Sequence, residues 1–415
     1  MSSFGEAYRV TVFGSSHGPS VGVTVEGIPA GFQPDLNTLQ EFLDRRAPGR
    51  SPLASARREE DHPTFTAGLA NGIATGGPLT AEIPNQDAKP EAYEDLKYIP
   101  RPGHADYPAM VKLGEAYGTG GGAFSGRMTA PLCIAGGLAM QLLALRGITI
   151  SARAVAVGGE ADETRFDNVI AAAKAEGDSV GGVIECTVTD LPVGLGGALW
   201  DGLESRIAAA VYGIPAVKGV EFGDGFAAAA LRGSENNDEY YVNCGAIETR
   251  TNHAGGILGG MADGAPLVFR AAIKPTPSIA KPQHSVELRS GVETELRISG
   301  RHDPCIVPRA VPCVEAAAAC AVLDVLLLEE RGDDLSALRQ EIDRADRALL
   351  RAFDARMDVA ARIGAWKKAR GMAVLDRSRE AAKLDAVAAQ SEYPDAARAL
   401  YETLMRLSRE EQEKL

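Results

Sequence analysis

Over roughly the first 330 residues, apolar positions come in short runs: RVTVFG from Arg9, VGVTVEG from Val21, GGVIECTV from Gly181 and PLVFRAAI from Pro266. Each is closed by glycine or proline, and runs of this length and β-branched content predict strands. Alanine-rich stretches over 128–146 and 311–328 suit helices instead. The mixture predicts an α+β domain with substantial sheet.

After residue 332 the pattern changes. Residues 334–370 contain no proline, and Leu335, Leu338, Ile342, Leu349, Phe353, Ala360 and Ile363 recur at helical spacing. One helix of that span is about 55 Å long. Nothing in the remaining stretch covers one whole face of it, so a helix from a second subunit is the natural cover. Two shorter helices are predicted over 377–390 and 394–413.

Composition sharpens the division into domains 1–330 and 333–415. Of the 46 glycines, 44 precede residue 333, together with 27 Lys+Arg and 40 Asp+Glu; residues 333–415 hold 16 of each sign. The joining EERGDD at 329–334 is short, leaving little linker. The net charge of −13 over 415 residues argues against a nucleic-acid surface, so an anionic substrate must be held by a few local arginines. The six cysteines show no metal spacing, and no metal is expected. Cys305, Cys313 and Cys320 read as buried, reduced thiols. No run of eighteen uncharged apolar residues occurs and no leader is visible at MSSFGEAYRVTVFG, so a cytoplasmic protein without a membrane span is expected.

Charge on a helix is usually solvated surface, and any single residue of the C-terminal set reads that way. Their grouping is less ordinary. Arg356 and Lys367 lie about 20° apart around a helix, with Arg339 about 100° away, as if serving a different pocket. Asp376, Arg379 and Glu380 fall at i, i+3, i+4, and Ser408 and Gln412 at i, i+4. Cations, hydrogen-bond donors and one carboxylate together suit a small dicarboxylate bearing a hydroxyl. LRQEIDRADRALLRAFDAR, then K-x8-D-x2-RE, then S-x3-Q, resembles the all-helical chorismate mutase family across 334–413. That resemblance implies an intertwined three-helix dimer in which Arg339 crosses to the other subunit's site. Arg356, Asp376, Arg379 and Ser408 would bind substrate. Lys367 and Gln412 would donate to the breaking ether oxygen, and Glu380 would accept from the ring hydroxyl. A Claisen rearrangement needs no nucleophile and no proton transfer, only a folded substrate and charge stabilisation, which these residue types supply. With neutral Gln412 in that place, activity should persist at neutral pH.

In the first domain, FGSSHG at 13–18 presents Ser16 and His17 in a glycine-bounded turn. RPGHADY at 101–107 places His104 beside Arg101 and Asp106. KPTPSI at 274–279 offers a cation and two hydroxyls, and GRHDPCIVPRAVP at 300–312 concentrates Arg301, His302, Asp303 and Arg309. A lone histidine is usually structural, but together these suggest an anion site with acid/base groups. With DRRAPGRSPL at 44–53, KGVEFGDGF at 218–226, RGSENNDE at 232–239 and NHAGGILGG at 252–260, they resemble chorismate synthase over essentially 1–328. The resemblance implies a β-α-β sandwich, usually a homotetramer. It implies reduced FMN as cofactor and trans elimination of phosphate and a ring hydrogen from 5-enolpyruvylshikimate 3-phosphate.

By that resemblance His17 protonates the leaving phosphate, His104 protonates or hydrogen-bonds the flavin, and Asp303 takes part in removing the ring proton. Flavin contacts are expected at Phe124, Ser125, Ala216, Gly259 and Arg301, and along Lys274, Pro275, Thr276, Pro277 and Ser278. Arg45 and Arg46 would hold substrate anions. In GTGGGAFSGR, Thr119 and Ala123 stand where the family commonly carries arginine or histidine, and Ser15 where it has an acid; Arg127 is the compensating cation. No GxGxxG follows a strand, so no nicotinamide site is expected and an external flavin reductase is. The leading expectation is a bifunctional enzyme making chorismate and converting it to prephenate. The alternatives are a synthase with a non-catalytic, ligand-sensing or oligomerisation helical domain, and a first domain whose synthase activity has lapsed.

Overall fold

The computed structural model describes residues 2–49, 59–86, 97–114, 121–243, 245–298, 303–330 and 334–413, without the side chains of 334–341 and Arg344. The chain divides into two compact units, Met1–Ala337 and Leu338–Leu415.

In the first unit all four apolar runs are strands. A five-stranded sheet runs in the order Ser2–Phe4, Arg9–Gly14, Ser20–Glu26, Leu79–Pro84, Thr64–Ala67. A four-stranded sheet runs Val217–Phe222, Leu267–Ile273, Gly182–Thr189, Thr149–Val157. Every neighbouring pair in both is antiparallel. Along Leu267–Ile273 the buried positions alternate, so one face meets the interior and the other is half-exposed.

The two predicted helices lie between the sheets. Thr129–Ala144 packs on the five-stranded sheet, Val307–Glu330 on the four-stranded one, and the two pack on each other. Their small side chains set the spacing. A Cβ added to Gly136 would fall 2.2 Å from the Cβ of Ala316, so backbone meets backbone there and a larger residue would force the helices apart. Both helices are long and apolar enough to cross a membrane, but each is largely buried in this core, which is reason enough for their apolarity. The result is the β-α-β sandwich that the sequence resemblance implies.

One buried carboxylate ties the N-terminal strands to this core. Asp324 Oδ1, fully buried, accepts the backbone N–H groups of Glu6, Ala7 and Tyr8 at 2.8, 2.7 and 2.8 Å. Beside it the Tyr8 hydroxyl donates to the Ala135 carbonyl at 2.8 Å. This anchors the strand Arg9–Gly14, which delivers the Ser15–Gly18 turn.

The second unit is three helices, Asp334–Lys368, Arg377–Gln390 and Pro394–Glu413. Gly371, at φ 64°, ends the first, and Asp376 caps the second by accepting the Arg379 N–H at 3.1 Å. Its core is thin: Ala360, Val387 and Met405 are buried, while Ile342, Leu349, Leu350, Ile363 and Trp366 along the long helix are exposed.

Candidate active sites

A cavity of about 700 Å³ opens in the first unit. The 3-10 turn at Gly122–Phe124, the loop before Asp106–Leu113, the Gly213–Lys218 segment, the 274–278 segment and the start of Val307–Glu330 all reach it. Of the residues singled out from the sequence, Arg46, His104, Phe124, Ser125, Ala216, Lys274, Thr276, Pro277, Ser278 and Asp303 line it together.

Arg46 and Arg127 form its cationic floor, both buried, with Asp61 between them. Arg46 donates to Asp61 at 2.7 Å, to the Thr129 hydroxyl at 3.1 Å and to the Gly126 carbonyl at 3.0 Å. Arg127 pairs with the other oxygen of Asp61 and donates from Nε to Asn85 Oδ1 at 3.0 Å. Burial alone would raise the Asp61 carboxyl, but the two guanidiniums hold it below the usual carboxylate range. Arg309 adds a third cation, pairing with Asp303 and donating to the Arg46 carbonyl at 3.0 Å.

His104 is oriented by a carboxylate. Its Nδ1 lies 2.7 Å from Asp106 Oδ1, and Arg101 grips the same carboxylate at 2.7 and 2.8 Å while reaching Ser278 at 3.2 Å. Burial works to raise Asp106, yet hydrogen bonds from Arg101 and His104 drive it far below its ordinary value. An Nδ1–H aimed at the carboxylate leaves Nε2 as the working nitrogen. His17 does not line the cavity but sits next to its wall: Ser16 donates its N–H to the Gly122 carbonyl at 3.3 Å, and its hydroxyl lies 2.9 Å from His17 Nδ1.

Other expectations land elsewhere. Arg45, one residue from Arg46, turns to Glu315, which it binds at 2.8 and 3.0 Å; it is not in the cavity wall. Gly259 occupies an exposed turn between Ile257–Leu258 and Met261–Ala262, and Pro275 points away. Arg301, His302 and Thr119 lie outside the described residues. Sequence reasoning missed Asp61 and Asn85, which no motif flags, and gave no role to Lys218, the first residue of KGVEFGDGF.

The donor set fits a flavin mononucleotide. Lys218 and Lys274 flank one another, and burial with that neighbouring charge lowers the Lys274 ammonium, as for a site awaiting a phosphate. Ala216 holds a left-handed backbone, φ 77°, at the wall, a strained conformation of the kind found at ligand clamps. Two buried polar atoms on the wall, Thr276 Oγ1 and Arg127 Nη2, have no hydrogen-bond partner among the described residues, Nη2 lying 3.8 Å from Glu59 Oε2. A ligand with acceptors satisfies both.

In the second unit part of the polar set, Arg356, Lys367, Ser408 and Gln412, gathers where the long helix meets the segments that follow it. Arg356 donates to the Leu404 carbonyl at 3.0 Å and to the hydroxyl of buried Ser408. Lys367 donates to the Val374 carbonyl at 2.6 Å. Gly364 lets Gln412 approach, since a Cβ there would lie 3.0 Å from it, and Gln412 Oε1 is buried without a hydrogen-bond partner among the described residues. Glu380 is held by Arg409 at 2.5 and 2.6 Å, a cation the sequence reading did not single out. Asp376 serves as the helix cap, Arg379 is exposed, and the side chain of Arg339 lies outside the described residues.

The family model for chorismate synthase matches residues 8–327, and that for chorismate mutase type II matches residues 338–413. Curated relatives include chorismate synthases of Lancefieldella parvula, 46% identical over 78% of this chain and 96% of that protein, and of Chitinophaga pinensis, 46% identical over 80% and 98%. A third, of Korarchaeum cryptofilum, is 43% identical over 79% and 98%. A crystal structure of chorismate synthase superposes with a TM-score of 0.62 at 24% identity, covering 84% of this chain and 98% of that one, and so shares its fold.

Proposed function

The chain belongs to the chorismate synthase family and carries a chorismate mutase type II domain behind it; from that premise we propose that it both makes chorismate from 5-enolpyruvylshikimate 3-phosphate and rearranges it to prephenate. The observation that carries the first half is one cationic cavity in whose wall the buried Thr276 Oγ1 and Arg127 Nη2 find no hydrogen-bond partner among the described residues. Lys274, Thr276, Pro277 and Ser278, with Ala216, Phe124 and Ser125, would hold reduced FMN, which when bound would supply electron density that eases loss of the allylic phosphate. Arg46 and Arg127 hold the substrate's anions, and preset cations of this kind stabilise the departing phosphate without reorganisation. His17 gives that phosphate a proton, His104 holds the flavin's charge through Nε2, and Asp303 accepts the ring proton. One proton and one phosphate leave together, and no net oxidation results.

In the second unit, Arg356 and Arg379, with Arg339 of a second copy, clamp the two carboxylates of chorismate. Lys367 and Gln412 donate to the ether oxygen, Glu380 accepts the ring hydroxyl, and Asp376 and Ser408 complete the site. The exposed apolar positions of the long helix support pairing between copies, and a homotetrameric synthase whose mutase units pair as dimers combines both needs. We place the protein in the cytoplasm, supplied with reduced flavin by an external reductase. Purified protein given reduced FMN and the enolpyruvyl substrate without oxygen is expected to accumulate prephenate. Accumulation of chorismate alone, with none of it converted when added directly, overturns the bifunctional reading.

A further inference from the structure

Asn85 follows the last residue of the edgeward strand Leu79–Pro84, in no motif, and its amide is engaged on both sides. Nδ2 donates to the carbonyls of Ser15 and Gly18, at 3.0 and 2.8 Å, the two ends of the turn that carries His17. Oδ1 accepts from Arg127 Nε at 3.0 Å. Only this orientation gives each amide atom a complementary partner, so the neighbours fix which end is which. Its backbone N–H donates to the Pro19 carbonyl at 3.0 Å, locking the residue against the same hairpin.

From this geometry we infer that Asn85 is a positioning residue, setting the turn of the acid His17 and the anion-binding Arg127 in fixed relation through one planar amide. The inference deepens the synthase reading and rests on it. Loss of the leaving phosphate needs a cation to take its charge and an acid to take its oxygen at the same moment, and these groups come from different elements. The turn has its own bond across it, from the Gly18 N–H to the Ser15 carbonyl at 3.1 Å, so its shape is local. What the turn does not fix by itself is where that shape sits against Arg127. A rigid three-atom amide bonded to both supplies this.

Asn85→Asp is the sharpest variant. It keeps the acceptor facing Arg127 and replaces the donor with an oxygen that repels the two turn carbonyls. The expected result is a fall in kcat of about a hundredfold, the scale of a general acid moved out of line, with KM for the phosphorylated substrate nearly unchanged and the acid–base profile of kcat altered. Asn85→Leu, which releases Arg127 as well, should raise KM too. In a His17→Ala background, Asn85→Asp should cost little more, because the group it positions is gone. A full additional loss there, or Asn85→Asp turning over like the parent with the same pH profile, overturns the inference. Should Asn85→Asp fail to fold, Asn85→Ser, which retains one donor, carries the same cycle. The imidazole resonances of His17, assigned with His17→Ala, should shift in Asn85→Asp whether or not turnover is seen. An inactive parent with that shift present condemns the reaction assignment and leaves the positioning role standing; an unchanged resonance condemns the positioning role.

Discussion

The two units hold their charged groups in opposite ways. In the sandwich, the cations of the cavity are already paired with buried or half-buried carboxylates: Asp61 sits between Arg46 and Arg127, Asp303 meets Arg309, and Asp106 is shared by Arg101 and His104. In the helical unit, Arg356 and Lys367 are satisfied by backbone carbonyls at 3.0 and 2.6 Å, and the long helix leaves an apolar face uncovered. A buried ion network is costly to assemble and costly to break, because removing one member strands another charge in low dielectric. A cation resting on a carbonyl at a half-open surface is easily retrieved by a ligand. On the proposed reading, the first site is assembled before substrate arrives, whereas the second is finished by substrate and by a second copy.

The largest test of that contrast is Asp61→Ala. It leaves Arg46 and Arg127 buried near one another with only Glu59, 3.8 Å from Arg127 Nη2, still close, and should cost about 3–5 kcal/mol of the sandwich's stability. Denaturant unfolding followed in the sandwich should show the loss while added chorismate is still rearranged; an unchanged midpoint would mean that the network contributes nothing. The same network fixes a pH dependence. Asp61 is held below the ordinary carboxylate value in the folded protein. Its contribution is therefore complete above the unfolded pKa of about 3.9 and disappears as pH falls through the lower folded value. Asp61→Ala should remove that acid limb as well as lower the plateau.

Why the sequence showed one network member and not the next is clearest at Arg45 and Arg46. Adjacent residues on a helix point about 100° apart, so a motif containing both cannot say which faces the cavity; Arg46 does, and Arg45 goes to Glu315. Strand runs such as LVFRAAI and the proline-free long helix were legible because period and breakers are local properties of the chain. Asp61 and Asn85 were not. Their importance comes from contacts with Arg46, Arg127 and the His17 turn, 15, 42 and about 70 positions away, and no local pattern records such pairings. In the helical unit spacing alone aligns Arg356 with Lys367, while the rest of the polar set rested on the family resemblance. Arg409 escaped because the partner that gives it meaning, Glu380, lies on another helix.

Next in size is Lys367→Met, which separates an enzyme from a sensor in the helical unit. If Lys367 carries charge stabilisation at the ether oxygen, the rearrangement rate should fall about 10²- to 10³-fold. Binding of chorismate, read by calorimetry, should weaken far less, and phosphate release by the sandwich should not change. A domain that only senses ligand predicts the reverse: affinity falls and there is no rate to lose. Its bond to the Val374 carbonyl is a single half-buried hydrogen bond, so stability should fall by about 1 kcal/mol at most.

The smallest effect concerns Gln412. Its side-chain oxygen is buried without a hydrogen-bond partner among the described residues, and Gly364 packs against the stem of the side chain. An amide does not titrate, and the rearrangement by the parent should therefore be flat from acid to neutral pH as far as this group is concerned. Gln412→Glu keeps the shape and adds a proton that can leave. At neutral pH the carboxylate faces the ether oxygen, the donor is lost, and the cost is about 1.5–3 kcal/mol, the scale of a hydrogen bond to a charged group. Burial raises the pKa of the new carboxyl, so protonation restores the donor at mildly acidic pH and the rate recovers there. A rate that falls equally at all pH would place the ether oxygen elsewhere; recovery in acid puts it at Gln412. Because no carboxylate of the sandwich takes part, phosphate release by the same variant should keep the parent's pH profile, so the two units would part company under a single titration.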